Sequence, residues 1–234
     1  MGKSKFTKAK ISGVVSYVPS SIRYFDEDAK SSNFDPRQID KIKKNIGLNK
    51  RHVTTSKTTT LDLCYAASVD LLKGLKINKD DIDGLIFVTQ TPDHFQPCNA
   101  AIIHGMLNLS NECASFDVNL GCSGYVYGLW NITSIMQANK NKKGLLLVGD
   151  TMSKTIKSSD KINKLLFGDS GSATALSHGI NNKMYFITGS EGKGFKNLIL
   201  KKSGFRDKKF NPEFYMDGKE VFYFAVKNVP KLIK

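Results

Sequence analysis

The sequence of 234 residues lacks a long apolar run. No segment approaches the roughly 18 consecutive apolar residues that a membrane-spanning helix needs. The basic start, MGKSKFTKAKISG, is not followed by the apolar stretch of a secretory signal, and Phe6 stands where a myristoylation motif requires serine or threonine. We therefore expect a cytoplasmic protein with no membrane partner.

Cysteine is also scarce, with four residues at Cys64, Cys98, Cys113 and Cys122. In a reducing compartment an even number of cysteines does not imply disulfides. A metal site could draw on two of these cysteines and two histidines, at positions His94, Cys98, His104 and Cys113. The spacing of these four residues matches no zinc pattern. We expect no metal and no cofactor.

Acidic residues are outnumbered, 21 against 35 lysines and arginines, which gives a net charge of +14. A basic surface favours an anionic partner. Lysine and asparagine are abundant along the whole chain, however, so a general compositional bias is an alternative explanation of the charge. The sequence has neither the aromatic motif of an RNA-binding sheet nor zinc-finger spacing, and we predict no nucleic-acid partner.

Strand and helix patterns alternate along the first two thirds of the chain. Apolar strands are predicted at residues 10–18, 83–91, 114–118 and 143–150. The segment FDPRQIDKIKKNIG is predicted as a helix with its N-cap at Asp35 and its end at Gly47. Thr59 and Asp62 suit the capping box of a second helix, and Pro97 should open a third. This alternation predicts the α/β class, with a mostly parallel sheet covered by helices on both faces.

Beyond Gly168 the pattern changes to short strands and glycines, and helical spacing resumes from Val221 to Ile233. The run from Phe167 to Gly171, FGDSG, resembles a phosphate-binding loop but lacks the final Gly-Lys-Ser/Thr. We interpret it as a structural loop beneath Cys122.

Cys122 lies between a predicted buried strand and a long apolar helix pattern, in the segment FDVNLGCSGYVYGLW. One interpretation is core packing, because free cysteine is among the most often buried residue types. The other is a nucleophile, because the positive end of a helix dipole lowers the pKa of a thiol placed there. Gly121 and Gly124 would leave space for a substrate beside the sulfur.

The segment DVNLGCSGYVYGL resembles the active-cysteine segment of β-ketoacyl-acyl-carrier-protein synthase III, a family of the thiolase-like superfamily. Four further segments resemble the family in the same order and at similar spacing, so that the resemblance covers nearly the whole chain. They are the glycine-rich turn IGLNKRHV, the strand and Thr-Pro-Asp segment DIDGLIFVTQTPD, the loop LLFGDSGSATAL and the late helix MDGKEVFYFAV.

The resemblance implies a thiolase-like α/β fold of two similar halves, each a mixed sheet between helices. Residues 1–180 would form a complete N-terminal half with the nucleophilic cysteine, and residues 181–234 the start of an incomplete second half. The family's catalytic histidine and asparagine lie on loops of that second half, and neither loop has a counterpart here. We therefore expect that the chain is truncated before them.

The implied activity is that of an acyltransferase of fatty acid biosynthesis. Cys122 would take an acyl group from a thioester, its own backbone N–H would help to stabilise the oxyanion, and condensation with malonyl-acyl-carrier protein would follow. Transfer to a non-malonyl acceptor, such as a hydroxyl or an amine, is an alternative. A non-catalytic fragment or partner protein of the same fold is another.

The resemblance also implies substrate-binding positions and partners. The family's phenylalanine that covers the acyl pocket of the partner subunit is shifted or replaced here, with Phe95 and Gln96 as the candidates for its position, and Met216 resembles the residue at the mouth of the acyl tunnel. Lys41 and Asn45 replace the tryptophan and arginine that clamp the adenine of coenzyme A, which favours acyl carrier protein over acyl-coenzyme A as the thioester donor. The protein should form a homodimer.

Overall fold

The computed structural model describes residues 2–30, 35–138 and 143–233. Its strands in chain order are β1 (Gly2–Phe6), β2 (Ala9–Tyr17), β3 (Ile22–Tyr24), β4 (Lys50–His52), β5 (Ile82–Val88), β6 (Ala114–Val118), β7 (Lys143–Thr151), β8 (Asp169–His178), β9 (Met184–Thr188), β10 (Leu198–Lys201) and β11 (Glu213–Met216). Its α-helices are α1 (Phe25–Lys30), α2 (Pro36–Ile46), α3 (Thr60–Gly74), α4 (Asn99–Leu107), α5 (Gly124–Ala138), α6 (Asn163–Leu166) and α7 (Gly218–Ile233).

Five strands form the main sheet in the order β2-β8-β7-β5-β6. β5 pairs in parallel with both β6 and β7, so that Val88 lies level with Val118 on one side and Val148 on the other. β8 runs antiparallel to its two neighbours, β7 and β2. The carboxyl ends of β5, β6 and β7 therefore meet at one edge of a mixed sheet.

Helices cover both faces of this sheet, because successive side chains of a strand point to opposite faces. Leu85 and Phe87 of β5 belong to the same buried cluster as Cys64 of α3 and Ile103 of α4. The intervening residues Ile86 and Val88 face the other way and join the cluster that includes Ile132 and Met136 of α5. The predicted α/β class with helices on both faces is confirmed.

The predicted ends of α2 and α3 are also confirmed. The Asp35 carboxylate accepts a hydrogen bond from the Arg37 backbone N–H at 2.7 Å, and Gly47 ends α2 with a φ of 72°. Thr59 and Asp62 form the predicted capping box of α3, in which the Asp62 carboxylate accepts from the Thr59 backbone N–H at 2.8 Å. Local sequence thus determines both helix starts.

The predicted start of α4 at Pro97 is wrong by two residues, since the helix begins at Asn99. Asp117 of β6 explains the difference. Its two carboxylate oxygens accept hydrogen bonds from the backbone N–H groups of Asn99 and Ala100 at 2.9 and 2.7 Å. The cap thus comes from a neighbouring strand and not from the local sequence.

The prediction of only short strands after Gly168 is wrong for β8, which has 10 residues and lies inside the main sheet. Its small residues allow α3 to approach closely. A Cβ atom added to Gly171 would lie 2.6 Å from Leu63 Cβ and 2.7 Å from the Cys64 backbone N. Glycine serves close packing here, and strands β9, β10 and β11 are short as predicted.

The remaining strands form three antiparallel pairs outside the main sheet: β1 with β9, β3 with β4, and β10 with β11. The β1–β9 pair joins the start of the chain to the region after residue 180. Helix α7 has no buried side chain within residues 218–233. In the described ranges, no helix is long and apolar enough to cross a membrane.

Candidate active site

A cleft of about 1650 Å³ opens at the edge where β5, β6 and β7 end. The segments that follow these three strands line one side of it, and the β10–β11 hairpin lines the other. In α/β proteins, ligands bind outside the carboxyl ends of parallel strands. The topology therefore brings side chains that are far apart in the sequence into the place where a substrate would bind.

Cys122 lies in the turn that links β6 to α5, and it is exposed in this cleft. The turn is shaped by two backbone hydrogen bonds, from the Leu120 N–H to the Val118 carbonyl at 3.1 Å and from the Gly124 N–H to the Gly121 carbonyl at 2.7 Å. The sulfur therefore stands just before the first turn of a 15-residue helix.

Two glycines bring α5 unusually close to the sheet. A Cβ atom on Gly124 would lie 2.5 Å from Val88 Cγ1, and one on Gly128 would lie 2.5 Å from Leu146 Cδ1. Larger residues at either position would push the helix outward. The contact therefore fixes the start of α5, and with it the Cys122 turn, relative to the end of β5.

The other three cysteines, all within the described ranges, lie outside the lining of the cleft. Cys113 is buried and Cys98 is half-buried. Cys64 is completely buried in the core, and burial raises the pKa of its thiol to about 12. Of the two interpretations of Cys122, core packing is therefore wrong, since its side chain is exposed, whereas Cys64 and Cys113 lie in the core.

Asp150, at the end of β7, ties this strand to the turn after β5. One oxygen of its carboxylate, Oδ1, accepts four hydrogen bonds: from the Gln90 N–H at 2.7 Å, the Thr91 N–H at 3.1 Å, and the Thr89 and Thr91 hydroxyls at 3.0 Å each. Burial raises the pKa of Asp150, and these hydrogen bonds act in the opposite direction. Asp150 was not among the site residues predicted from the sequence.

The segment from Phe167 to Gly171, predicted as a loop, enters β8 at Asp169, and the Asp169 carboxylate is bound within the protein. The buried Asp169 accepts hydrogen bonds from the Thr54 N–H and hydroxyl at 2.7 and 2.8 Å, and from the Ser153 N–H and hydroxyl at 2.9 and 2.5 Å. Gly168 and Ser170, on either side, line the cleft. These contacts support the predicted structural role.

The three predicted substrate-binding residues all line the cleft that contains Cys122: Phe95, Gln96 and Met216. Phe95 is 61% exposed, and its ring centroid lies 5.7 Å from that of Phe210 and 5.9 Å from that of Phe205. The aromatic contacts bridge the segment after β5 and the β10–β11 loop. Sequence analysis had not singled out Phe205 and Phe210. Their roles toward a substrate remain predictions.

The histidines differ in whether they line the cleft. His94 lines the cleft. His52 and His104 are bound elsewhere, through ring nitrogens that lie 2.6 Å from the Pro19 carbonyl and 3.0 Å from the Ser110 carbonyl. Lys41 and Asn45 are exposed on α2 and do not line the cleft.

Comparison with known proteins gives consistent results. A Campylobacter jejuni protein named as a 3-oxoacyl-[acyl-carrier-protein] synthase 3 is 38% identical over 99% of this chain, which covers 70% of that protein. The chain belongs to the 3-oxoacyl-[acyl-carrier-protein] synthase III family. The family's own sequence pattern, described as 3-oxoacyl-[acyl-carrier-protein (ACP)] synthase III, matches residues 116–192, which include Cys122.

Other known proteins show the same extent of similarity. A β-ketoacyl-[acyl-carrier-protein] synthase III of Streptococcus sanguinis is 31% identical, over 97% of this chain and 70% of its own length. The crystal structure of a 3-oxoacyl-(acyl-carrier protein) synthase from Burkholderia xenovorans superposes with a TM-score of 0.93 at 39% identity, over 99% of this chain and 69% of its own. The predicted family, thiolase-like fold and enzyme class are thus confirmed.

Proposed function

We propose that this chain is an acyltransferase of the synthase III type and that Cys122 is its nucleophile. The observation that carries the proposal is the position of an exposed cysteine, in a family-matching segment, at the strand-to-helix turn of a large cleft. The Cys122 thiolate would attack the carbonyl carbon of an acyl thioester. A new bond from sulfur to the acyl group forms, and the donor thiol leaves.

The backbone around Cys122 suits the charge that develops in this step. The carbonyl oxygen becomes an oxyanion, and backbone N–H groups at the start of a helix can donate hydrogen bonds to it. We assign this function to the N–H of Cys122 itself. The close contacts of Gly124 and Gly128 hold α5 against the sheet. The backbone N–H of Cys122 could therefore bind the oxyanion without movement of a side chain.

The second step in the family is condensation with malonyl-acyl-carrier protein, which is promoted by a histidine and an asparagine that have no counterpart in residues 1–234. Loss of carbon dioxide from the malonyl group leaves a carbon nucleophile, which attacks the acyl carbonyl on Cys122. A carbon–carbon bond forms, and the sulfur leaves as a thiolate. The exposed Phe95 and Gln96 and the half-buried Met216 would contact the acyl chain during both steps.

The direct test is acylation of variants. Wild-type protein incubated with a short acyl thioester should gain one acyl group by intact mass, Cys122→Ala should gain none, and Cys98→Ala should behave as wild type. The Cys98→Ala control is matched because Cys98 is half-buried but lies outside the cleft lining. An adduct that persists in Cys122→Ala would overturn the assignment.

The donor we propose is acyl carrier protein, because positive charge surrounds the cleft. Lys154 lines it, and the β10–β11 loop, whose Phe210 also lines it, carries four exposed basic residues, Lys202, Arg206, Lys208 and Lys209, against one exposed acidic residue, Asp207. A basic rim speeds the encounter with an acidic partner, and salt screens that attraction beyond about 10 Å at 0.1 M. Neither Lys41 nor Asn45 offers a stacking surface for the adenine of coenzyme A.

We therefore expect acylation of Cys122 to be faster from an acyl-carrier protein than from the matching acyl-coenzyme A. The difference should narrow as the salt concentration rises. Rapid-quench acylation rates at several ionic strengths test this. A preference for the coenzyme A thioester at every ionic strength would contradict the proposed donor.

A homodimer is the expected assembly. β6 pairs with β5 on one side and is the last strand of the main sheet, with Phe116 38% exposed. An uncovered strand edge with an exposed aromatic residue is suited to pairing with a second copy. Light scattering should give twice the mass of one chain, and Phe116→Glu should shift the protein toward the monomer. A wild-type monomer at all concentrations would exclude this assembly.

A further inference from the structure

We propose that Asp150 is a positioning residue that acts on the Cys122 turn through Gln90. The inference rests on the proposed role of Cys122 as nucleophile. Neither Asp150 nor Gln90 belongs to the predicted site residues. Both line the cleft, and each is connected to the Cys122 turn by contacts that can be followed atom by atom.

The first part of the connection is the clamp at the carboxyl edge of the sheet. Asp150 Oδ1 binds the backbone N–H groups of two successive residues, Gln90 and Thr91, and the hydroxyls of Thr89 and Thr91. The Thr91 hydroxyl also lies 2.9 Å from the Thr60 hydroxyl at the start of α3. The carboxylate thus fixes the backbone of the turn after β5 relative to β7.

The second part is the contact between Gln90 and Gly121. A Cβ atom on Gly121 would lie 2.3 Å from Gln90 Oε1 and 3.0 Å from Gln90 Cδ. The Gln90 side chain therefore occupies the space that any side chain at position 121 would need. Gly121 immediately precedes Cys122, so this amide lies against the backbone of the nucleophile's turn.

The two parts together relate Asp150 to the sulfur. Gln90 is exposed, and its backbone N–H is bound by the Asp150 carboxylate, beside the bond from the Thr89 N–H to the Val118 carbonyl at 3.2 Å. Removing the carboxylate frees two backbone N–H groups at a strand end and lets the turn move. A nucleophile misplaced by about 1 Å can lose a factor of a hundred in rate. The expected cost is thus a slower reaction at Cys122.

A double-mutant cycle on Asp150→Ala and Gln90→Ala tests the connection, since residues that act through one contact are not additive. The quantities measured are the acylation rate of Cys122 at saturating acyl thioester and the donor concentration that gives half this rate. Each single variant should slow the maximal rate about tenfold, which corresponds to about 1.4 kcal/mol. The double variant should also be about tenfold slower, with the half-saturating concentration unchanged throughout.

Asp169→Ala provides the matched control. Asp169 is also a carboxylate with four hydrogen bonds near the cleft, but its partners are Thr54 and Ser153, and it has no bond to the Gln90 turn. Its effect should be a lower melting temperature, and any effect on rate should multiply with that of Gln90→Ala. If Asp150→Ala does not fold, Asp150→Asn enters the cycle in its place, because it keeps an acceptor oxygen but loses the charge.

The same cycle is measured with iodoacetamide, which requires a reactive thiol but no acyl chemistry. Alkylation of Cys122 could slow non-additively in the cycle while the wild type is not acylated at all. That result would contradict the proposed function and leave the positioning role standing. If the wild type is acylated but the double variant is about a hundredfold slower, the effects of the two substitutions multiply and are independent. That result would overturn the positioning role and leave the proposed function standing. A Gln90→Ala variant as fast as the wild type would overturn it too.

Discussion

Cys64 lies in a helix packed on one face of the main sheet and Cys122 lies at the carboxyl edge of that sheet, and the fold makes them chemically different. Cys64 lies in the first half of α3, against the β8 backbone near Gly171, and has no exposed surface. Burial raises the pKa of its thiol to about 12, so that it stays neutral. Cys122 lies beyond the end of β6, where the sheet no longer covers it. The difference teaches that the position of a cysteine in the fold decides which thiol can react.

Overpacking the Cys64 side should have the largest effect on stability. Gly171→Ala would place a Cβ atom within 2.8 Å of three atoms of Leu63 and Cys64, two of them backbone atoms, which cannot rotate away. We expect a loss of about 3 kcal/mol in the free energy of unfolding, measured by urea denaturation.

Gly105→Ala in α4 is the matched control for this change. No atom lies within 4 Å of the Cβ position there, and alanine is the better helix former, so we expect a gain of up to about 1 kcal/mol. Equal effects of the two variants would show that the close approach of α3 to β8 does not limit stability.

The raised pKa of Cys64 should appear in the pH dependence of stability. Between about pH 9 and about pH 12 the unfolded chain releases this proton while the folded chain keeps it. The free energy of unfolding must therefore fall as the pH rises through this window, by up to about 1.4 kcal/mol per pH unit. Urea unfolding of wild type and Cys64→Ala from pH 8 upward, at about one-unit steps, isolates this effect. Parallel curves would mean that Cys64 ionises normally in the folded protein.

A smaller effect is expected where α3 begins at the cleft. Thr59 caps this helix and also lines the cleft, so Thr59→Ala removes the capping hydroxyl. The expected loss is about 1 kcal/mol, and Thr59→Ser should retain most of the stability because it keeps the hydroxyl. Thermal unfolding of the two variants measures this, and an equal loss in both would argue against the hydroxyl as the cause.

Local signals in the sequence predicted the helix ends at Asp35, Gly47 and Thr59, because a cap depends on residues within one helical turn. The cap of α4 was not predictable in this way, since Asp117 lies on another element. The same holds for β8, in which glycine usually signals a turn but here allows close contact with α3.

The residues of the candidate site also differ in whether the local sequence could predict them. Cys122 was predictable because its surroundings lie within one short segment that also carries the family resemblance. Asp150 and Gln90 were not, because their relation to the Cys122 turn exists only after three strands have aligned their carboxyl ends. The domain division at residue 180 and the roles of Phe95, Gln96 and Met216 stay predictions.

Mapping of the acyl group on the wild-type chain tests the central claim most directly. The folded protein is incubated briefly with an acyl thioester, digested in acid to preserve thioesters, and the four cysteine-containing sites are quantified by mass spectrometry. The account predicts acylation of Cys122, with Cys64, Cys98 and Cys113 unmodified. Acylation of Cys64, Cys98 or Cys113 in place of Cys122, or a folded protein in which Cys122 stays unmodified, would contradict it.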